Sequence, residues 1–422
     1  MKRKQGRAYY WLIPLIGVVV VAIVYLCVQA QPEEAEPVKP VLEFYQQREE
    51  AINGFAALLD RFAGEEPGVS IRQINIPSAQ ELLISRVQSG DVPDIFTDWP
   101  TQRSFWHTVE SGVVMDLTDE PMLDAVSPRA LEMARQPDGR IYALPINYNC
   151  IEVYYNQNLF ERCGVAVPTT VDELTRACGE FERQGVAPFV FYLRDSGRMA
   201  HVAQLILAVL VDDYREALQR LAEGNPASEA DVASALRVMY ELVQHGKADS
   251  GDALTYYEAC ERFAAGESAM LISGSYALSM IESFEPADTL SVFPFPGYES
   301  DRRVMLTSID TAVCVASGTE YRDEALRFVS FLAQPENAEL YGSLDQAPSC
   351  FQGVRQDHPI TRIMQEHVNQ YESAEWLKSR YSVETVSRFS DVVNTYLLTG
   401  DEAQLLSGLR ATFVNGKGGE NS

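Results

Sequence analysis

The chain has 422 residues, of which 46% are hydrophobic and 22% are charged, so it can bury the cores of two folded lobes. Its net charge of −26 repels nucleic acid and anionic lipid headgroups, which disfavours both classes of partner. We therefore expect no nucleic-acid partner, and a soluble protein that works outside the cell on a neutral ligand.

The N-terminal residues predict export. Four cationic residues within the first seven positions precede an apolar run over residues 11–28, and no acidic residue occurs in the first 30. As a helix, this run would span roughly 27 Å at about 1.5 Å per residue, close to the hydrocarbon thickness of a bilayer. The positive-inside bias places the rest of the chain outside.

Three fates are open for residues 1–30, which are either a signal peptide or a membrane anchor. The segment can be cleaved after Ala30, since Val28 and Ala30 are small enough for a cleavage site. Cys27 can carry a lipid, although the preceding Leu26 is bulky for a lipoprotein signal. The segment can also stay uncut as an anchor. Residues 31–40 are acidic and rich in proline, which predicts a solvated tether at the extracellular face of the membrane.

An alternation of strands and helices begins after the tether. We predict strands over residues 41–45, 69–76 and 94–97. One helix is predicted over residues 48–63. A second is predicted from residue 78 to residue 88, where Ser78 is the cap and Glu81 follows three residues later. Ser127 followed by proline is typical of another helix start.

Residues 139–174 contain a change of pattern. Apolar runs at 141–144 and 151–155 flank a polar, aromatic joint at 145–149, which suits a chain passing from one lobe to another. A short helix over 159–163 should end at Gly164. Thr170 and Glu173 have the spacing of a capping box.

The alternation continues to the C-terminus, with predicted returns between lobes at residues 291–296 and 344–348. Predicted strands cover residues 189–192, 269–272 and 311–316. Predicted helices cover residues 199–211, 233–244, 256–265, 322–332, 361–371, 383–397 and 401–414, and the tail 416–422 should be disordered.

Short motifs in a fixed order resemble the family 1 extracellular solute-binding proteins that feed ABC importers, over about residues 41–415. The strongest match is residues 138–174, with D-G-R-I-Y, Y-Y-N and T-T-V-D-E-L. The remaining matches are G-D-V-P-D-I at 90–95, residues 112–118, 263–274, 295–297 and 324–332. One departure is Tyr276, where the family usually has tryptophan.

The resemblance implies an α/β, two-lobed fold of the periplasmic-binding-protein type, class II, with a mixed sheet flanked by helices in each lobe. The N-terminal lobe would comprise residues 41–146 and 297–345, and the C-terminal lobe residues 149–293 and 349–415, joined by a hinge of several crossing segments. The implied function is delivery of a carbohydrate, an oligosaccharide in particular, to ABC permease subunits by closure of the cleft. We expect a monomer.

Sugars are bound by aromatic faces and by planar polar side chains that pair with adjacent hydroxyls. Trp99 and Tyr276 are the candidate stacking platforms, and Asp98, Asn149 and Asp310 the candidate hydroxyl partners. The resemblance places ligand contacts just after strand 94–97, a stacking aromatic at Tyr276, and in some sugar binders an acid at the position of Asn149. Further candidates are Asn147 and Tyr148 in the joint, Tyr45 at the end of the first strand, and Tyr192, with Trp376 weaker still. Each also has a structural interpretation: strand-end packing for Trp99, hinge hydrogen bonding for the joint, a turn for Asp310 and core packing for Tyr45.

Signals for an enzyme or a metal site are missing from the sequence. It contains no G-x-S-x-G, H-E-x-x-H, P-loop or G-x-G-x-x-G motif, although the number of acidic residues leaves a paired-carboxylate glycosidase open. The seven cysteines form no C-x-x-C pair and the five histidines do not cluster, so we expect no metal, no cofactor, and mostly buried cysteines. Other solutes stay open, namely a polyamine, phosphate ester, iron complex or peptide, and Arg194 and Arg198 would suit an anionic one. A sensor or adhesin subunit with the same fold is a further alternative.

Overall fold

The structure is a computed structural model that describes residues 39–48, 50–76, 79–246, 253–301 and 304–414. The predicted membrane segment with Cys27 and Ala30, nearly all of the tether, the predicted cap Ser78 and the predicted disordered tail lie outside the described residues. Within the described ranges, no helix is both long enough and apolar enough to cross a membrane.

The elements up to the middle of the chain follow the predicted alternation, with two additional helices, Arg103–Glu110 and Tyr214–Ala222. In chain order they are β1 Val41–Tyr45, α1 Ile52–Glu65, β2 Ser70–Ile74, α2 Ala79–Ser89, β3 Ile95–Asp98, α3 Arg103–Glu110, a 3-10 turn Pro121–Ala125, α4 Pro128–Ala134, β4 Leu144–Asn156, α5 Gln157–Cys163, α6 Val171–Arg183, β5 Ala187–Phe189, α7 Ser196–Leu210 and α8 Tyr214–Ala222. The predicted strand over residues 189–192 is wrong, because the observed strand Ala187–Phe189 ends where the predicted one begins.

The second part is richer in helix. Its elements are α9 Pro226–His245, α10 Tyr256–Ala264, β6 Ser268–Gly274, α11 Ala277–Ser283, β7 Leu290–Phe293, β8 Val304–Val315, α12 Arg322–Leu332, α13 Pro335–Asp345, α14 Pro359–Gln370, β9 Glu372–Ala374, a 3-10 turn Leu377–Ser379, α15 Val383–Thr399 and α16 Glu402–Val414.

Local capping signals mostly act where the sequence indicates. Ser127 accepts a hydrogen bond from the Ala130 amide at the start of α4, and Gly164 ends α5 with a left-handed φ of 67°. Thr170 accepts from the amide of Glu173, but the Glu173 carboxylate accepts from the amide and hydroxyl of Thr169 rather than from Thr170. The second hydrogen bond of the predicted capping box is therefore donated by Thr169 instead of Thr170.

The joint predicted at residues 145–149 lies inside one long strand, β4. Residues 144–150 pair antiparallel with β8, with register shifts around residues 145–148, and residues 151–156 pair with β6 and β7 instead. Cross-strand pairing supplies the hydrogen bonds of this polar stretch, so it stays extended despite its proline and its breaks in apolar alternation. The same pairing extends β8 back to Val304, well before the predicted start at residue 311.

The strands follow the order β2-β1-β3-β8-β4-β6-β5, with β7 on β4 and β9 on β8. We call β1, β2, β3 and β8, with residues 144–150 of β4, the N-terminal sheet half. The C-terminal sheet half comprises β5, β6 and β7, with residues 151–156 of β4. The exchange of partners along β4 makes this strand common to both halves. The lobe boundaries drawn from the sequence stay a prediction.

Helix α7 lies in the interior, as its nearly continuous apolar sequence predicts. Ten of its residues are buried, and it packs against α15 and α9. The six cysteines in the described ranges are all buried and free of disulfides, which confirms that they act as small hydrophobic residues.

Candidate functional site

A cleft of about 420 Å³ opens where both sheet halves present strand ends. Trp99 follows β3, Asn149 lies in β4, Ser308 and Asp310 lie in β8, and Tyr276 follows β6. The other lining residues come from loops and helix starts: Arg48, Glu50, Gln80, Thr101, Gln102, Asp195, Gly197, Arg198, His201, Trp376 and Lys378. Three carboxylates and three cationic side chains line this cleft, so their charges balance and favour a neutral polar ligand over an anion.

Tyr276 packs against the side chains of Tyr256 and Arg198. Its ring centroid lies 6.1 Å from that of Tyr256, and the Arg198 guanidinium lies 4.3 Å from the Tyr256 centroid and 5.8 Å from that of Tyr276. Asp195 caps α7 and pairs with Arg198 at 2.7 Å. The charge of Arg198 is thus engaged by a carboxylate and two rings, and burial raises the pKa of Tyr276 to about 12, which keeps its hydroxyl protonated.

Trp376 and His201 form a second aromatic group in the cleft lining. Their rings meet edge to face with centroids 4.8 Å apart. Burial, together with the charges of Lys378 and Arg198, lowers the pKa of His201 to about 3, so the imidazole is neutral at pH 7. Within the described part of the chain, Nε1 of the buried Trp376 and Nδ1 of His201 have no hydrogen-bond partner.

The floor of the cleft is polar and partly unpaired. The buried Asn149 has a side-chain oxygen with no partner among the described residues. An unpaired buried acceptor costs about 1–3 kcal/mol unless a donor reaches it, so a ligand hydroxyl bound here would recover stability.

Asp310 shares a buried ion-pair network with Arg48 and Asp345. The Arg48 guanidinium lies 3.1 Å from Asp310, 3.3 Å from Asp345 and 2.7 Å from the Thr311 hydroxyl. Burial raises the pKa of Asp310 to about 6, against the opposing effect of the Arg48 charge. One cation thus joins the loop after β1, strand β8 and the end of α13.

Five of the predicted site residues line the cleft: Trp99, Asn149, Tyr276, Asp310 and the weaker candidate Trp376. Asp98 is half-buried beside them and accepts a hydrogen bond from the Trp99 amide at 2.7 Å. It is not among the residues lining the cavity, and burial raises its pKa to about 6.

The other four predicted residues lie in the interior, away from the cavity lining. Asn147 donates to Asp345, and the Tyr148 hydroxyl pairs with that of Ser127 at 2.7 Å. The Tyr45 hydroxyl donates to the Ala79 carbonyl at 3.0 Å, and that of Tyr192 donates to the Ile272 carbonyl at 2.9 Å. Successive side chains of a pleated strand face opposite sides, which accounts for Tyr148 next to the lining residue Asn149. The register shifts around residues 145–148 interrupt the alternation at Asn147.

Sequence reasoning missed Arg48, Asp195, His201 and Lys378, and it considered Arg198 only for an anionic ligand. A signal existed for Asp195, since an aspartate before an apolar helix is a cap that faces the strand ends. Nothing local indicates Arg48, because its partners lie more than 260 positions away in the chain. Among the described residues, no group of three or more His, Cys, Asp or Glu side chains could hold a metal ion.

Sequence comparison places these features in a family of proteins. The sequence model described as bacterial extracellular solute-binding protein matches residues 57–365. The multiple sugar-binding protein of Streptococcus mutans is 24% identical over 421 residues, which cover 96% of this chain and 98% of that protein. The melibiose/raffinose/stachyose-binding protein MelE of Bacillus subtilis is 22% identical, with 78% of both chains covered.

Solved structures share the fold. RafE in complex with raffinose matches with a TM-score of 0.80 and 24% identity, over 88% of this chain and 98% of that one. The apo form of RafE from Streptococcus pneumoniae matches with a TM-score of 0.78 and 23% identity, over 89% and 97% of the two chains. The predicted two-lobed α/β fold of solute-binding proteins is therefore confirmed.

Proposed function

We propose that this chain, which belongs to the bacterial extracellular solute-binding protein family, captures an oligosaccharide in its cleft and delivers it to an ABC importer. The main support for this proposal is that three aromatic side chains and two planar polar side chains line one charge-balanced cavity. They are Trp99, Tyr276, Trp376, Asn149 and Asp310. Rings that stack on sugar faces and planar groups that pair with hydroxyls are the two devices that sugar binding needs. The names of the Streptococcus mutans and Bacillus subtilis relatives support the same ligand class.

Closure of the cleft couples binding to delivery. Trp99 extends from the N-terminal sheet half and Tyr276 from the C-terminal sheet half. A sugar that contacts both rings stabilises the closed arrangement over the open one, so its population rises on binding. The closed form then docks on permease subunits in the membrane. The protein acts as a monomer, by binding and release rather than by catalysis.

The N-terminal apolar run holds the protein at the extracellular face of the membrane in this proposal. The basic residues before it and the acidic tether after it support that orientation. Intact mass of the protein from membranes separates the three fates, because cleavage after Ala30, lipidation of Cys27 and retention give three different masses. A protein found only in the medium with residues 1–30 removed would contradict tethering.

Calorimetric titration of a panel of oligosaccharides tests the ligand class. We expect binding to at least one of them, weakened about tenfold or more by Trp99→Ala, since a stacking ring contributes on the order of 1 kcal/mol beyond its buried area. The matched control is Tyr298→Ala, since Tyr298 is 49% exposed and does not line the cleft. Binding of a polyamine, phosphate ester, iron complex or peptide in place of every sugar would overturn the proposal.

Sugar uptake by cells that lack this gene separates transport from sensing. The proposal predicts that uptake of the best ligand is lost and that expression of the chain restores it. Unchanged uptake, with sugar binding intact in the purified protein, would instead indicate a sensor or adhesin subunit.

A further inference from the structure

A second and larger cavity adjoins the cleft. It has a volume of about 930 Å³, and Thr101, Gln102, Ser308 and Trp376 line both spaces. Small-molecule pockets usually measure about 300–1,000 Å³, so the first cleft is near the lower end of that range and the second near the upper end. Because the two spaces share four residues, a ligand in the first cleft can continue directly into the second.

The lining of the second cavity suits a neutral, hydroxyl-rich ligand. Trp106, on α3, is only partly buried and faces this space together with Met133. Three arginines and three glutamates also line the cavity, so its charges balance: Arg103, Arg129, Arg135, Glu132, Glu372 and Glu375. A phosphate-bearing ligand would require an excess of cations, whereas planar guanidinium and carboxylate groups together match sugar hydroxyls.

Trp376 marks the junction between the two cavities. It is 8% exposed, and its indole Nε1 has no hydrogen-bond partner among the described residues. A buried tryptophan usually finds an acceptor for this N–H. A ligand oxygen passing from one cavity to the other would provide that acceptor.

We propose that the second cavity is a further carbohydrate subsite, which binds the continuation of the chain held in the first cleft and uses Trp106 as its stacking platform. This inference rests on the proposed function, since it assumes that the first cleft holds a sugar. It assigns the ligand a length: the protein selects oligosaccharides that are longer than a disaccharide.

Titration with melibiose, raffinose and stachyose, which have two, three and four sugar rings, tests the subsite. The inference predicts that stachyose binds about tenfold or more tightly than melibiose, and that Trp106→Ala removes most of this difference while Trp106→Phe retains it. Trp99→Ala, in the first cleft, should weaken all three sugars by a similar factor. Equal loss for all three in Trp106→Ala, or no loss in any, would overturn the second subsite.

A variant at the edge of the second cavity can test the subsite if Trp106→Ala does not fold. Asn369 lines the cavity from an exposed position on α14, so Asn369→Trp should fill the space without disturbing the core. It should weaken stachyose about tenfold and leave melibiose bound as before. Full stachyose affinity in a folded Asn369→Trp protein would contradict the subsite. Tighter binding of melibiose than of raffinose and stachyose would overturn the second subsite but leave the proposed function standing. Binding of no sugar at all would overturn both.

Discussion

The ring of Tyr276 lies directly over the α-carbon of Gly274, where a side chain would otherwise be. A Cβ atom placed on Gly274 would be 2.2 Å from Cε1 of that ring, a separation that real structures do not allow. Glycine at the end of β6 is therefore what lets the chain turn back and hold the Tyr276 ring against the cleft.

Gly274→Ala should displace the Tyr276 ring and weaken the binding of the best oligosaccharide by about tenfold or more. The added methyl group must move the ring or the strand end, a strain of about 1–3 kcal/mol. Titration calorimetry and thermal unfolding measure the two effects. Gly179→Ala is the control, because Gly179 lies in α6 with open space at its Cβ, and there alanine should stabilise the helix by about 0.5–1 kcal/mol. Unchanged affinity in Gly274→Ala would show that the position of the Tyr276 ring does not matter for binding.

Arg198→Met should weaken ligand binding several-fold and lower the free energy of unfolding by about 0.5–2 kcal/mol. The variant removes the cation from the Tyr256 and Tyr276 rings and leaves Asp195 without its partner. A cation–π contact contributes about 0.5–2 kcal/mol, depending on how far it is desolvated. Arg183→Met is matched to it, because Arg183 also pairs with a carboxylate three residues away but lies on the surface of α6. Equal affinity of both variants for the sugar would contradict a positioning role for Arg198.

Arg48→Met should lower the free energy of unfolding by about 3–5 kcal/mol, because it leaves the buried Asp310 and Asp345 without their cation. Urea denaturation measures the loss. Arg61→Met is the control, since its pair with Glu65 is exposed and should contribute less than about 1 kcal/mol. Adding Asp310→Asn to Arg48→Met should restore part of the stability, because one unpaired charge is removed. A double variant as unstable as the sum of its single changes would argue against this network.

Asp98→Asn should make the protein more stable above pH 6 and leave its stability unchanged near pH 4. The pKa of Asp98 is about 6 in the folded protein and about 3.9 in an unfolded chain, so the folded state binds more protons between these values. Stability therefore falls as the pH rises from about 4 to 6, and the charged form costs up to about 3 kcal/mol above that window. Asparagine keeps an oxygen for the Trp99 amide and removes the charge.

Chemical denaturation at a series of pH values measures this effect. The slope between pH 4 and 6 should be smaller in Asp98→Asn than in the parent protein. Some fall of stability between pH 4 and 6 should remain in the variant, because the pKa of Asp310 is also raised. A steeper slope in the variant would mean that Asp98 is charged and stabilised in the folded state.

Part of the site could be predicted because residues that directly follow a strand can be recognised from the sequence. Trp99 and Tyr276 come just after short buried strands, and strand ends at one edge of a sheet are where ligands meet. The alternation within a strand is harder to assign when a stretch is polar on both faces. The joint at 145–149 shows this, since only Asn149 of its three candidates lines the cleft while Asn147 and Tyr148 point into the interior.

The sequence by itself determined most of the helices and strands, several of their caps, the interior position of α7 and the burial of the cysteines, because these depend on neighbours a few residues apart. Only the tertiary structure decided that β4 is continuous and exchanges β8 for β6 and β7, that Arg48 joins Asp310 to Asp345, and that a second cavity opens beyond Trp376. Those relationships join residues tens to hundreds of positions apart. The free energy of such contacts depends on how the whole sheet pairs, which no local pattern of residues records.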